Sequence, residues 1–224
     1  MGLGWRALQL MRESVRRHRR SVNPSSYLQH YVLAQLDAFA VNGLARVMGA
    51  FANIADEADD YANKMFESYA GVGDPGDFAD EAVNQGASYY SMLADLRQSM
   101  LNLLAVGLYH LYEQHRDKLT EILAENRRVT PRFDTLPGWQ TIEELRLVAN
   151  TVKHADGGAA KQLRERRPDL FVAPILRGSS LEKHVLARAT ETPLGGTDLF
   201  VSEEDLTAYR DALREHWEAL RPQL

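Results

Sequence analysis

Residues 78–126, "FADEAVNQGASYYSMLADLRQSMLNLLAVGLYHLYEQHRDKLTEILAEN", decide the fold. Tyr89, Met92, Leu93, Leu96, Met100, Leu103, Leu104, Leu108, Leu111, Leu119 and Ile122 keep a near-heptad spacing. That repeat draws an apolar stripe along an α-helix. Upstream, residues 27–69 read as a second long helix. Leu33, Leu36, Ala40, Leu44, Val47, Phe51 and Ile54 fall on one side of it. At about 1.5 Å per residue, each would reach roughly 60–75 Å. Between them lies "GVGDPGD" (71–77), where Gly and Pro stop one helix and Asp77 caps the next. A turn that short makes the pair an antiparallel hairpin. Gly43 and Gly107 mark a close backbone approach or a kink.

Downstream, "VTPRFDTLPGW" (129–139) is a linker, and a third helix is expected over Trp139–His154. Ile142, Leu145, Val148, Ala149 and Val152 form its buried side, Trp139 anchors its start, and the glycines of "ADGG" end it. A short basic helix over 159–167 precedes "RPDLFVAPIL" (167–176), whose prolines favour extended chain. Residues 177–200 read as irregular. Ser202 caps a last helix from Glu203 to about Leu220. The expected fold class is all-α: a long antiparallel helical hairpin plus shorter helices forming a bundle, with a small irregular C-terminal extension. Three segments follow: a basic N-terminal arm (1–24), the helical bundle (25–168) and an accessory segment ending in a helix (169–224).

The 224-residue chain has no cysteine, which excludes disulfides and thiolate metal sites and fits a cytoplasmic location. No apolar run approaches the ~18 residues of a membrane span, so none is expected. The net charge of −5 is polarised. Residues 1–20 carry six Arg against Glu13, whereas nine acids against Lys64 crowd residues 51–85. The cluster Arg16, Arg17, Arg19 and Arg20 has three readings: a grip on a nucleic-acid backbone, a partner for the acidic 56–81 face of a neighbouring subunit, or a tail. With Trp5, Leu8 and Met11 at helical spacing, the arm also admits contact with a membrane surface.

Several chemistries are excluded. A di-iron bundle needs Glu three residues before His, and the residues there are Val15, Tyr27, Gly107, Tyr112, Thr151, Leu181 and Leu213. No His-x-x-x-His pair, strand-to-helix phosphate loop or Gly-x-Ser-x-Gly elbow occurs. No cofactor is expected. His110 and Glu113 lie beside the apolar stripe, where a hydrogen-bonded core His is the expected role.

The third helix carries the remaining chemistry. On a wheel of about 100° per residue, Lys153, Arg146, Asn150, Glu143 and His154 form one polar stripe beside the apolar face. Two cations, an amide, an acid and an imidazole can grip a phosphate, and His suits proton transfer near neutral pH. The same stripe also reads as a solvated face ending in a dipole-stabilised His.

Two long helices followed by "EELRLVANTVKHADGG" (143–158), with "LYHLYEQH" (108–115) before it, resemble the HEPN superfamily of helical nucleotide-binding domains over residues 27–167. The resemblance implies a bacterial defence or toxin–antitoxin protein: a homodimer that binds RNA and acts as a metal-independent endoribonuclease. The alternative it implies is a non-catalytic module binding a protein encoded nearby, such as a nucleotidyltransferase or effector subunit. By the family's pattern His154 is the acid–base group, Asn150 the amide beside it and Glu144 the upstream acid. The family's Arg would stand at Ala149 and its Lys at Val148, so whether the chain is an enzyme is left open. Arg146 or Lys153 would supply the missing charge.

Overall fold

A computed structural model of the chain describes residues 23–69, 75–155, 157–182 and 198–220. The arm with Arg16, Arg17, Arg19 and Arg20 lies outside the described residues, as does most of 177–200. Helix α1 (Pro24–Ala38) continues through a π-helical stretch (Phe39–Leu44) into α2 (Ala45–Gly49), and α3 (Ile54–Ser68) follows a turn. Then come α4 (Pro75–Glu125), α5 (Trp139–His154), α6 (Gly158–Arg166) and α7 (Glu203–Ala219), with short 3-10 turns at Phe133–Thr135, Pro168–Phe171 and Pro174–Leu176. Among the described residues there is no strand, and the all-α expectation holds.

Each start has a local cause. The Asn23 side chain accepts from Ser25 N–H at the head of α1, and Pro24 needs no donor at the first helical position. Ser202 and Asp205 form a reciprocal capping box at the head of α7. The expected single helix over 27–69 is interrupted twice, by the π-helical stretch around Gly43 and by the turn at 50–53. A π-bulge inserts an extra residue per turn and shifts the facing side chains without needing Pro. Within Pro24–Ser68 one window is apolar enough to cross a membrane by length and composition. It is a single weak candidate near the N-terminus and not a clear span, and the turn at 50–53 interrupts it.

Helix α4 is the spine. Its first turns pair with α3: Gly86 lies so close that a Cβ there would stand 2.8 Å from Ala62 Cβ. Tyr61 stacks on Tyr89 and Tyr69 on Phe78 along the same seam. The second half packs against α1, α5 and α7. Arg97 pairs with Glu203 and Tyr112 approaches His216, so α7 runs parallel to α4. Gln29 bonds Trp217 and Asp37 pairs with Arg214, so α1 runs antiparallel to both.

The core joins Leu101, Leu108, Leu119 and Leu123 of α4, Ile142, Leu145 and Val148 of α5, and Leu206, Tyr209, Leu213 and Trp217 of α7. Leu170, Phe171, Leu199 and Val201 belong to it too, so the segment read as accessory contributes to one continuous core. The 167–176 stretch, expected to be extended, instead makes two 3-10 turns, with a Pro at the start of each.

At the centre sits His216, fully buried. Its Nδ1 is 3.0 Å from the Pro137 carbonyl and its Nε2 3.4 Å from the Tyr112 hydroxyl. The rings of Tyr112, Phe133 and Trp139 surround it, which bears out Trp139 as the anchor of α5. Desolvation pushes the imidazole pKa down, so the neutral ring donates to Pro137 and accepts from Tyr112. His110, by contrast, is exposed and bonded to Gln114, not a core histidine.

Candidate functional site at the junction of α5 and α6

Helix α5 buries Ile142, Leu145, Leu147, Val148, Ala149 and Thr151. Arg146, Asn150 and His154 are each one helical turn further along and project beside that face. With Leu147, Ala155, Gly157, Gly158, Ala159 and Gln162 they line an open cleft of about 430 Å3. Three residues of the sequence-derived site thus share one cleft. Arg146 Nε bonds Glu143 Oε2 at 2.9 Å, an exchange that holds the guanidinium along the helix. His154 is exposed and Asn150 half-buried.

The floor of the cleft is the start of α6. The N-terminal N–H groups of a helix have no intrahelical acceptors and carry partial positive charge. Here the cap residue, Gly157, offers no side chain to satisfy them. A Cβ at Gly157 or Gly158 would meet nothing within 4 Å, so packing does not demand glycine at either position. The absence of side chains leaves the helix start open to an anion. Gln162, one turn into α6, adds an amide that no motif in the sequence singled out.

The chain turns into this cleft through Ala155, whose φ of 54° and ψ of −122° lie where an L side chain is strained. Gly was expected to end α5; instead Ala155 takes the left-handed position, and Gly157 serves the next helix.

Glu144 is elsewhere. Its Oε1 is 2.6 Å from Arg167 Nη1 and accepts from the Tyr209 hydroxyl at 2.9 Å. Arg167 also bonds Asp169 and, at 2.9 Å, Asp205 of the α7 capping box. The Asp169 bond leads in raising the Arg167 pKa and in holding the Asp169 carboxyl below its usual range. Desolvation, then the Glu144 charge, raises the Tyr209 hydroxyl. Lys153 is exposed and is not among the residues lining the cleft. Ala149, where the family's Arg would stand, is 0% exposed and faces the core. A guanidinium there would be desolvated, and of the two cations the sequence offered in its stead, Arg146 lines the cleft.

A second open cleft of about 400 Å3 is lined by Leu44, Glu203, Glu204, Thr207, Ala208 and Asp211. Of its three carboxylates, Glu203 pairs with Arg97 and Asp211 with Arg210. Among the described residues no three His, Asp or Glu side chains come together as metal ligands.

The chain matches no protein-family model, no curated protein and no solved structure. Fold and site together define a class: an all-α protein with a small polar cleft where two helices meet.

Proposed function

We propose that this chain is a HEPN-like protein of bacterial defence or toxin–antitoxin type, acting in the cytoplasm, that binds RNA at the α5–α6 cleft. The observation that carries the reading is the convergence of Arg146, Asn150 and His154 on the uncapped start of α6. A phosphate seated there meets the Arg146 fork, the Asn150 amide and the α6 N–H groups. Cleavage in this reading is metal-independent. His154 takes the proton of the attacking 2′-hydroxyl or returns one to the leaving oxygen, and Arg146 offsets the charge of the phosphorane. Glu144, assigned with the catalytic group by resemblance, then acts at a distance by fixing α5. Lys153 and the Arg16–Arg20 cluster extend the contact to flanking phosphates, and the protein works as a homodimer.

A second reading is favoured by the burial of Ala149. With a core-facing alanine in the family's Arg position, the chain is a non-catalytic module that binds a partner protein encoded nearby. Incubation of the purified protein with total RNA and EDTA separates the two. Cleavage that disappears in His154→Ala supports the nuclease. Absence of cleavage, with retained partner binding in the same variant, supports the module.

A further inference from the structure

Two primary amides face the α5–α6 cleft, Asn150 from α5 and Gln162 from α6. Neither forms a hydrogen bond with another described residue. Arg166, one turn beyond Gln162, donates from Nη2 to the Gln140 carbonyl at 2.9 Å, so α6 runs back along α5. Gln162 lies midway along that course, level with the Arg146–Asn150 stretch, and the two amides stand on the two walls. Leu147, Ala155 and Ala159 add apolar surface to the same lining, where the flat face of a base can rest. The volume of about 430 Å3 falls in the range of small-molecule sites, roughly 300–1,000 Å3.

A primary amide carries a donor and an acceptor side by side. It pairs in full only with an edge that offers acceptor and donor in the opposite sense. Two amides on one base need two such edges. Adenine has both, because its amino group holds one hydrogen beside N7 and the other beside N1. Each amide carbonyl accepts one amino hydrogen while its N–H donates to the adjacent ring nitrogen.

The other bases satisfy the pair less well. Cytosine offers one matching edge, since the second hydrogen of its amino group lies beside carbon. Uracil has a single N3 hydrogen for two carbonyls. Guanine presents two acceptors, N7 and O6, on its outer edge, the pattern that suits Arg. Its second amide-matching edge lies against its own ribose.

We propose that Asn150 and Gln162 read an unpaired adenine, one amide on its N6–N7 edge and the other on its N6–N1 edge. This rests on the RNA reading of the same cleft and adds to it the identity of the bound base. Asn150 has two N–H donors, so one remains for the phosphate. Watson–Crick pairing occupies N1 and one amino hydrogen, so the adenine must lie in a single strand. Gln162 is the residue that sets specificity, because Asn150 alone, with one edge, accepts cytosine or uracil as well.

The test is a fluorescence-anisotropy titration of the full chain against labelled oligouridines carrying one central adenosine, guanosine, cytidine or uridine. The adenosine oligomer should bind at least about tenfold tighter than the other three, the discrimination of one further bidentate pair. Purine riboside, which lacks the amino group, and 7-deazaadenosine, which lacks N7, should each lose most of that advantage. Annealing a complementary strand should abolish it. Gln162 is exposed, so Gln162→Leu keeps the fold. In that variant the adenosine advantage should shrink to within about twofold while the all-uridine oligomer binds as it does to wild type, its phosphate contacts being intact.

Equal affinity of the wild type for all four oligomers overturns the base assignment and leaves the RNA reading standing. An adenosine preference that survives Gln162→Leu overturns it too, and a guanosine preference gives the base to the Arg146 fork instead. Failure to bind any of the four overturns the RNA reading and the base assignment together.

Discussion

Tyr209 donates a 2.9 Å hydrogen bond to Glu144 across the α5–α7 interface, and Arg167 approaches the same carboxylate oxygen at 2.6 Å. One acid in the third helix therefore holds a residue of the last helix and the chain between them. Removing one partner from such a partly buried network leaves the others uncompensated. Arg167→Ala is expected to cost about 2 kcal/mol of stability, below the fully buried range because the network reaches solvent. Glu144→Gln should lower stability in the same direction while RNA affinity stays within about twofold. Urea denaturation and an RNA titration on the same samples check both. Lost cleavage at unchanged stability would return Glu144 to the catalytic group.

Gly138, at the start of α5, has a φ of 76°, and a Cβ there would stand 2.5 Å from the Ala212 carbonyl oxygen. Gly138→Ala combines a left-handed backbone cost with a collision against a helix backbone. The expected loss is about 3 kcal/mol, visible as a lower denaturation midpoint. A midpoint unchanged from wild type would mean that α5 and α7 are not this close.

Ala155 presents the opposite case, an L residue where glycine is unstrained. Ala155→Gly should raise stability by about 1 kcal/mol despite the added chain entropy of glycine. The strained turn also sets His154 relative to Gly157. The same variant is therefore expected to weaken RNA binding while the fold gains, a pairing that thermal melts and anisotropy measure together.

Burial depresses the pKa of both His216 and His115 below the usual 6.5. The unfolded chain therefore takes up protons that the folded chain refuses as pH falls through that value. Stability should be full above pH 6.5 and decline below it, with Tm falling between pH 7 and pH 5. The Asp169 carboxyl, held low by Arg167, is lost only at more acidic pH, in a separate window. His216→Asn, which keeps a donor for Pro137, should flatten the upper step. A Tm independent of pH from 7 to 5 would contradict the buried neutral imidazole.

What the sequence made legible was local. Ser202 announces its helix by capping chemistry, and α5 was bounded residue for residue by its apolar repeat. Ala149 was legible as core-facing from that same repeat. The break near Gly43 was less so, because a π-helical shift comes from backbone register and needs no Pro. The aromatic shell of His216 was invisible, since Tyr112, Phe133 and Trp139 reach it from separate segments. The candidate site divided the same way. Arg146, Asn150 and His154 share a face by helical spacing alone, whereas the partners of Glu144 come from residues 167 and 209 and only the tertiary fold assembles them.

The central claim is that the α5–α6 cleft binds RNA through Arg146 and the open start of α6. The most direct measurement is the fluorescence anisotropy of a labelled single-stranded RNA titrated with wild type and with Arg146→Glu at two salt concentrations. The account predicts binding that weakens with salt and falls at least about tenfold in the variant, in proportion to a lost phosphate contact. Equal affinity for wild type and Arg146→Glu, or no binding by either, would contradict it.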